Sequence, residues 1–117
     1  MRYTLLLVVL AGCLIEYGDD KPVPLTTAER AWLDDALPAM QAQCIVCHSG
    51  TAESPGFLAG DTAWEIRDTL LQSGVVDVVA PERSRLLSKG AHYGPAMTAS
   101  QAADILGWLQ AERDEQH

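Results

Sequence analysis

Strand-like alternation, positive charge and aromatic side chains are all scarce in this sequence. Its 117 residues include 8 basic and 16 acidic side chains, which gives a formal net charge of −8. A surface of that sign repels a phosphate backbone, so a role in binding nucleic acid is excluded. It attracts proteins that carry basic patches instead.

Aromatic residues make up only 6% of the chain, which has no internal repeat and no low-complexity tract. A chain of this length forms one domain, and a domain this small buries a modest fraction of its surface. With so few aromatic rings, aliphatic packing alone makes a weak core. A large bound cofactor would help to fill such a core.

Cysteine is also scarce, and its odd count means that disulfides cannot use every thiol. The three residues are Cys13, Cys44 and Cys47. The last two lie close together and the first stands alone, so the two locations need separate explanations.

The N-terminus has the pattern of an export signal. Arg2 provides a positive start, and an apolar stretch then ends in Leu10-Ala11-Gly12-Cys13. That stretch is far shorter than the ~20 residues that cross a bilayer, but it suits a secretory signal with small residues at the cut. The ending resembles the lipobox of bacterial lipoproteins, which implies cleavage before Cys13 and acylation of its thiol. The alternatives are an ordinary signal peptide or a buried apolar strand, with Cys13 a bystander.

These features predict a signal peptide at residues 1–12, an acylated tether at 13–25 and a folded domain at 26–117. The tether contains Gly18, Pro22 and Pro24 and shows no helical period, which favours an extended conformation. A multiply acylated N-terminus binds a membrane stably. We therefore expect the domain to face the periplasm in a bacterial cell envelope, held at a membrane by its lipid anchor alone.

Capping boxes at residues 26–29 and 98–101 predict the first and last helices of the domain. Pro38 should interrupt the first helix, because proline lacks the amide hydrogen that the helix needs, and it could restart the helix as the first residue of a second turn.

Shorter helices are predicted in the middle of the domain. Asp61 is the expected cap of a helix over residues 62–72, which Gly74 should end. A proline should open another helix over residues 81–89. The apolar residues 75–79 have no partner strand and are expected to form a buried connector. Several helices and no sheet predict an all-α domain.

The segment Cys44-Ile45-Val46-Cys47-His48 carries the chemistry. Cys-x-x-Cys-His is the signal for c-type haem attachment. Two thiols on one helical turn can bond both vinyl groups of a haem, and His48 then provides an iron ligand. A zinc site would need further ligands, and a thioredoxin-like pair would need a βαβ setting. A plain disulfide between Cys44 and Cys47 is the remaining alternative.

From about Thr26 to its end the chain resembles the class I cytochrome c family. The likeness rests on a helix that enters the Cys-x-x-Cys-His motif, a middle of short helices, and a capped last helix that carries an aromatic residue. Three shorter stretches look like a subset of bacterial envelope cytochromes: residues 37–40, 81–90 and 92–96. The family implies a bundle of short helices around one covalently bound haem c.

The resemblance also implies particular contacts. The first and last helices should cross at small residues and an aromatic, with Trp32 or Met40 against Trp108. The carbonyl of Pro55 should accept a hydrogen bond from the His48 ring, which would orient the imidazole on its iron.

Two residues compete for the second axial position of the iron. Met97 matches the general family pattern, but it also suits an apolar contact directly before the cap of the last helix. His92 precedes that cap by six residues, a spacing closer to small cytochromes of this family, and is favoured. The candidate partners of the haem carboxylates are Arg67, Arg85 and Lys89.

The resemblance implies a membrane-tethered electron carrier that serves redox partner proteins of the envelope. An independent enzyme is not expected, since the chain has one haem motif, no second cofactor signature and no convincing acid–base pair. Two other functions stay open. One is a haem-based ligand sensor whose second iron ligand dissociates, and the other is a non-catalytic electron-transfer subunit of a larger redox complex.

Overall fold

The computed structural model describes residues 23–50, 55–88 and 96–117, and every regular element in these ranges is helical. The α-helices are α1 (Thr27–Ala31), α2 (Leu37–Gln43), α3 (Ile45–His48), α4 (Ala63–Gln72) and α5 (Ala99–Glu115). A π-helical turn spans Trp32–Ala36 and a 3₁₀ turn spans Pro81–Arg83. The predicted all-α class is confirmed for this part of the chain.

The predicted signal peptide, Cys13 and most of the predicted tether lie outside the described residues. Among the helices that are described, none combines the length and the apolar character needed to cross a bilayer.

The two predicted capping boxes are confirmed. At the start of α1, Thr26 Oγ1 accepts from the Glu29 amide at 3.2 Å, and Glu29 Oε2 accepts from the Thr26 amide at 2.8 Å. Thr98 and Gln101 make the same reciprocal pair at the start of α5. Both boxes satisfy amide groups that the first helical turn leaves without partners.

The chain remains helical through Pro38, and a wider helical turn precedes this residue. The amide of Leu37 bonds to the carbonyl of Trp32, five residues back, which defines the π-helical turn. Pro38 then lies in the first turn of α2, where its missing amide hydrogen costs least. The predicted interruption is thus a local change of helical pitch.

Helix α4 ends as predicted and is capped by a different residue. Thr62, and not Asp61, is the N-cap, and its Oγ1 accepts from the Glu65 amide at 3.2 Å. The amides of Asp61 and Thr62 both donate to Glu65 Oε2, at 2.8 and 3.0 Å. Gly74 follows the helix with a φ of 79°, the left-handed conformation that glycine adopts readily.

The helix predicted from Pro81 is shorter than expected. It ends at Arg83 because Ser84 leaves the helical region, with φ −57° and ψ 128°. The Ser84 side chain is 1% exposed and its Oγ accepts from the Asp77 amide at 2.8 Å. The preceding connector is buried only in part, since Val76 is buried while Val79 is 82% exposed.

The first and last helical segments pack against each other around two tryptophans. Trp32 and Trp108 are fully buried, with ring centroids 4.8 Å apart and planes at 47°. This confirms the aromatic contact predicted between the two ends of the domain. Trp32 Nε1 also donates to the Ala63 carbonyl at 2.9 Å, which links this pair to the start of α4.

Candidate functional site

The Cys-x-x-Cys-His segment follows α2 with only Cys44 between the two helices. The amide of Cys44 bonds to the Met40 carbonyl at 2.7 Å, and the amides of Cys47 and His48 bond to the Cys44 carbonyl at 3.2 and 3.0 Å. The backbone therefore makes one helical turn across the motif, and side chains three positions apart share a side of such a turn. Cys44 is half-buried and Cys47 is exposed, with its thiol outside any disulfide.

The His48 ring is held at one edge by the Pro55 carbonyl. Nδ1 lies 2.7 Å from that oxygen. A carbonyl oxygen only accepts, so Nδ1 carries the hydrogen, and in the neutral ring the lone pair lies on Nε2. In this tautomer Nε2 is the ring atom that could coordinate a metal.

A short backbone segment wraps around His48. After Pro55, the amide of Leu58 donates to the His48 carbonyl at 2.9 Å, and the Leu58 side chain is 1% exposed. Gly56 lies between these contacts, where a Cβ would come 2.9 Å from the Cα of Gly50. A larger residue at position 56 would push this segment away from His48.

Phe57 also belongs to this segment, and no sequence pattern indicated a role for it. Its ring stacks on the His48 imidazole, with centroids 4.2 Å apart and planes at 26°. One residue does not make a periodic pattern, so only its position two residues after Pro55 could have drawn attention to it. The half-buried Phe57 ring also borders an open groove of ≈ 420 Å³ that Val75 lines from the other side.

Three other predicted site residues, Met97, His92 and Cys13, are not placed beside His48 by the described structure. Met97 is partly buried and packs against the hydrophobic core, directly before the Thr98 cap. His92 and Cys13 lie outside the described residues, so their roles stay predictions.

The three basic residues expected to pair with the haem carboxylates differ in their surroundings. Arg67 is engaged by Glu112, with Nε and Nη2 at 2.6 and 2.8 Å from its two oxygens. Arg67 is therefore a poor candidate partner for a haem carboxylate. Arg85 is exposed, and Lys89 lies beyond the described residues.

One buried polar atom beside the motif has no hydrogen-bond partner. It is Oε1 of Gln43, the residue before Cys44. Buried acceptors are nearly always satisfied in folded proteins, so this position suits a donor on a bound group or an ordered water. Nowhere in the described ranges do three or more His, Cys, Asp or Glu side chains group as they would around a metal ion.

The geometry of His48, Pro55 and Phe57 is thus the best-defined arrangement of functional groups in the described chain. Comparisons with models of protein families, with curated proteins and with solved structures found no match.

Proposed function

We propose that this chain is a mono-haem c-type cytochrome that works as a membrane-tethered electron carrier in a bacterial cell envelope. The observation that carries the proposal is the 2.7 Å contact between His48 Nδ1 and the Pro55 carbonyl. It selects the tautomer that an iron ligand needs, directly after two cysteines on one helical turn. Neither a structural disulfide nor a thioredoxin-like pair requires a histidine prepared in this way.

The residues present are suited to a covalently held haem. Cys44 and Cys47 lie on the same side of one turn, as two thioether bonds require. Their unequal exposure is expected of a group that is buried on one edge and reaches the surface at the other. When bound, the haem iron supplies one-electron chemistry.

The chain's own part is to hold one imidazole in a fixed orientation. The Pro55 carbonyl orients the ring and, by accepting from Nδ1, makes Nε2 a stronger donor to a metal. The buried Leu58 side chain holds that segment in the hydrophobic core. A ligand fixed in this way needs little rearrangement when charge changes beside it, which suits electron transfer.

The proposed location follows from the lipobox-like ending at Cys13. A tether over residues 13–25 would keep the domain next to a membrane without inserting it. The net charge of −8 favours redox partners that dock through basic patches.

Covalent attachment is the test of this function. We expect the unaltered protein, made in a host that attaches haem c, to keep its haem through denaturation and acid–acetone extraction. Cys44→Ser or Cys47→Ser should weaken retention, and the double replacement should abolish it. Cys13→Ser is the matched control, because it removes a cysteine outside the motif and should leave retention unchanged.

The same preparations report the anchor through their intact mass. The unaltered protein should exceed the mass of residues 13–117 plus one haem by the mass of its acyl chains, and Cys13→Ser should carry no acyl mass, whether or not residues 1–12 are removed. Complete extraction of haem from the unaltered protein would refute the cytochrome proposal. An unmodified mass with haem retained would refute the anchor alone.

A further inference from the structure

Phe57 makes a face-to-face contact with the residue proposed as iron ligand. Its ring centroid lies 4.2 Å from that of the His48 imidazole, and the two planes meet at 26°. Aromatic rings this close and this nearly parallel are in contact across their faces. Phe57 is also the only phenylalanine in the sequence, so no other residue of its type could replace the contact.

The two contacts on His48 restrain different motions of its ring. The hydrogen bond to Pro55 acts at the edge of the imidazole and fixes which atom meets the carbonyl. By itself it leaves the ring able to tilt about the Nδ1···O axis. A flat side chain against the face opposes that tilt, because tilting either separates the two rings or makes them clash.

The position of the Phe57 ring is itself set by the backbone. On one side of it Pro55 accepts from the His48 ring, and on the other Leu58 donates its amide to the His48 carbonyl at 2.9 Å. Leu58 is 1% exposed and holds the segment in the core. The Phe57 backbone is thus tied to His48 on both sides, so its ring cannot drift independently of the imidazole.

The geometry points to Phe57 as a positioning residue that fixes the plane of the His48 imidazole. This inference rests on the proposed function, in which Nε2 of that ring binds iron. The orientation of a ligand ring about its bond to iron sets the splitting of the iron d orbitals. It is therefore visible in the EPR g values and in the hyperfine-shifted NMR resonances of the oxidised protein. A side chain that only filled space would leave both signals unchanged.

The test compares variants of the haem-loaded protein. Phe57→Leu keeps an apolar side chain but removes the flat face, and it should shift and broaden the EPR signal and the shifted NMR resonances. Phe57→Tyr keeps the ring and should retain the pattern of the unaltered protein. Val75→Ala is the matched control: it removes apolar volume from the same groove and should leave both signals unchanged. Phe57→Met, with a flexible side chain of similar volume, replaces the leucine variant if that variant does not fold.

Two results would overturn the role of Phe57 alone while haem stays attached. One is an unchanged EPR and NMR pattern in Phe57→Leu or Phe57→Met. The other is an equal change in Val75→Ala, which would make the effect one of general packing. Loss of haem from the unaltered protein on acid–acetone extraction would overturn the proposed function and this inference together.

Discussion

Met97 shows how one residue can suit two roles. It directly precedes the Thr98 cap of α5, and its partly buried side chain packs against the hydrophobic core. A hydrophobic residue in that position stabilises the first turn of a helix without any further function. The contact is therefore fully accounted for by packing, and His92, which lies outside the described residues, is still the preferred second ligand.

This preference predicts different outcomes for two substitutions. His92→Ala should remove the low-spin spectrum of the haem-loaded protein, whereas Met97→Ala should keep it. The oxidised unaltered protein should lack the weak sulfur-to-iron absorbance band near the red end of the visible spectrum. That band, present in the unaltered protein and lost in Met97→Ala, would instead identify methionine as the ligand. The distinction matters because methionine ligation raises the reduction potential relative to a second histidine.

At the scale of a helix, the start of α4 depends on which of two adjacent residues provides the cap. Asp61 and Thr62 are both good capping residues, and their order in the sequence does not rank them. The structure selects Thr62, because its Oγ1 lies 3.2 Å from the Glu65 amide and Glu65 reaches back to its amide. Asp61 takes part only through its backbone amide, which any non-proline residue provides.

This difference gives a prediction with an adjacent control. Thr62→Ala should lower the free energy of unfolding by about 1 kcal/mol, since it removes the side-chain acceptor. Asp61→Ala should change it by less than about 0.5 kcal/mol, because the backbone donor stays. Urea denaturation of the haem-loaded protein, followed by far-UV circular dichroism, measures both. A larger loss in Asp61→Ala than in Thr62→Ala would contradict the assignment of the cap.

At the scale of the whole molecule, a buried polar group joins α4 to the last helix. Glu112 is 5% exposed and accepts from Arg67 through both carboxylate oxygens. It also accepts from Trp108 Nε1 at 2.8 Å, and the Trp108 ring packs against that of Trp32. One carboxylate thus connects α4, α5 and the aromatic contact with the first helical segment. Removing the carboxylate leaves the buried Trp108 Nε1 without this acceptor and leaves Arg67 only its longer ion pair with the exposed Asp68, at 3.8 Å.

We therefore expect Glu112→Leu to destabilise the fold by about 3 kcal/mol, because the partly buried Arg67 guanidinium would stay desolvated without its close counter-charge. Glu112→Gln should cost about 1–2 kcal/mol, since it keeps an acceptor for Trp108 but loses the charge. In the double variant Glu112→Leu, Arg67→Met the loss should be smaller than the sum of the single losses.

Asp114→Asn is the control for this cluster. Asp114 pairs with Arg113 at 3.2 Å on the surface, with 69% of its side chain exposed. Solvent screening makes such pairs weak, so the change should stay within about 0.5 kcal/mol. Denaturant unfolding measures the free energy of unfolding of all these variants. Equal decreases in Asp114→Asn and Glu112→Leu would show that the buried Glu112 carboxylate stabilises the fold no more than the exposed Asp114 does.

Local sequence was enough to predict those features whose causes lie within a few residues. Both capping boxes form because their partners are three positions apart. The Cys-x-x-Cys-His segment needs only one helical turn, and Gly74 ends α4 by its own conformational freedom. The tryptophan contact and the placing of Pro55 near His48 were expected from the family resemblance, which already contains tertiary information.

The remaining features depend on contacts between residues that do not share a helical turn. Arg67 bonds to a carboxylate 45 residues away, which no local pattern indicates. The helix from Pro81 stops early because Ser84 bonds back to Asp77. Phe57 meets His48 because Leu58 is anchored in the core and draws the segment across the ring. In each case a contact between separate segments, and not a local preference, determined the outcome.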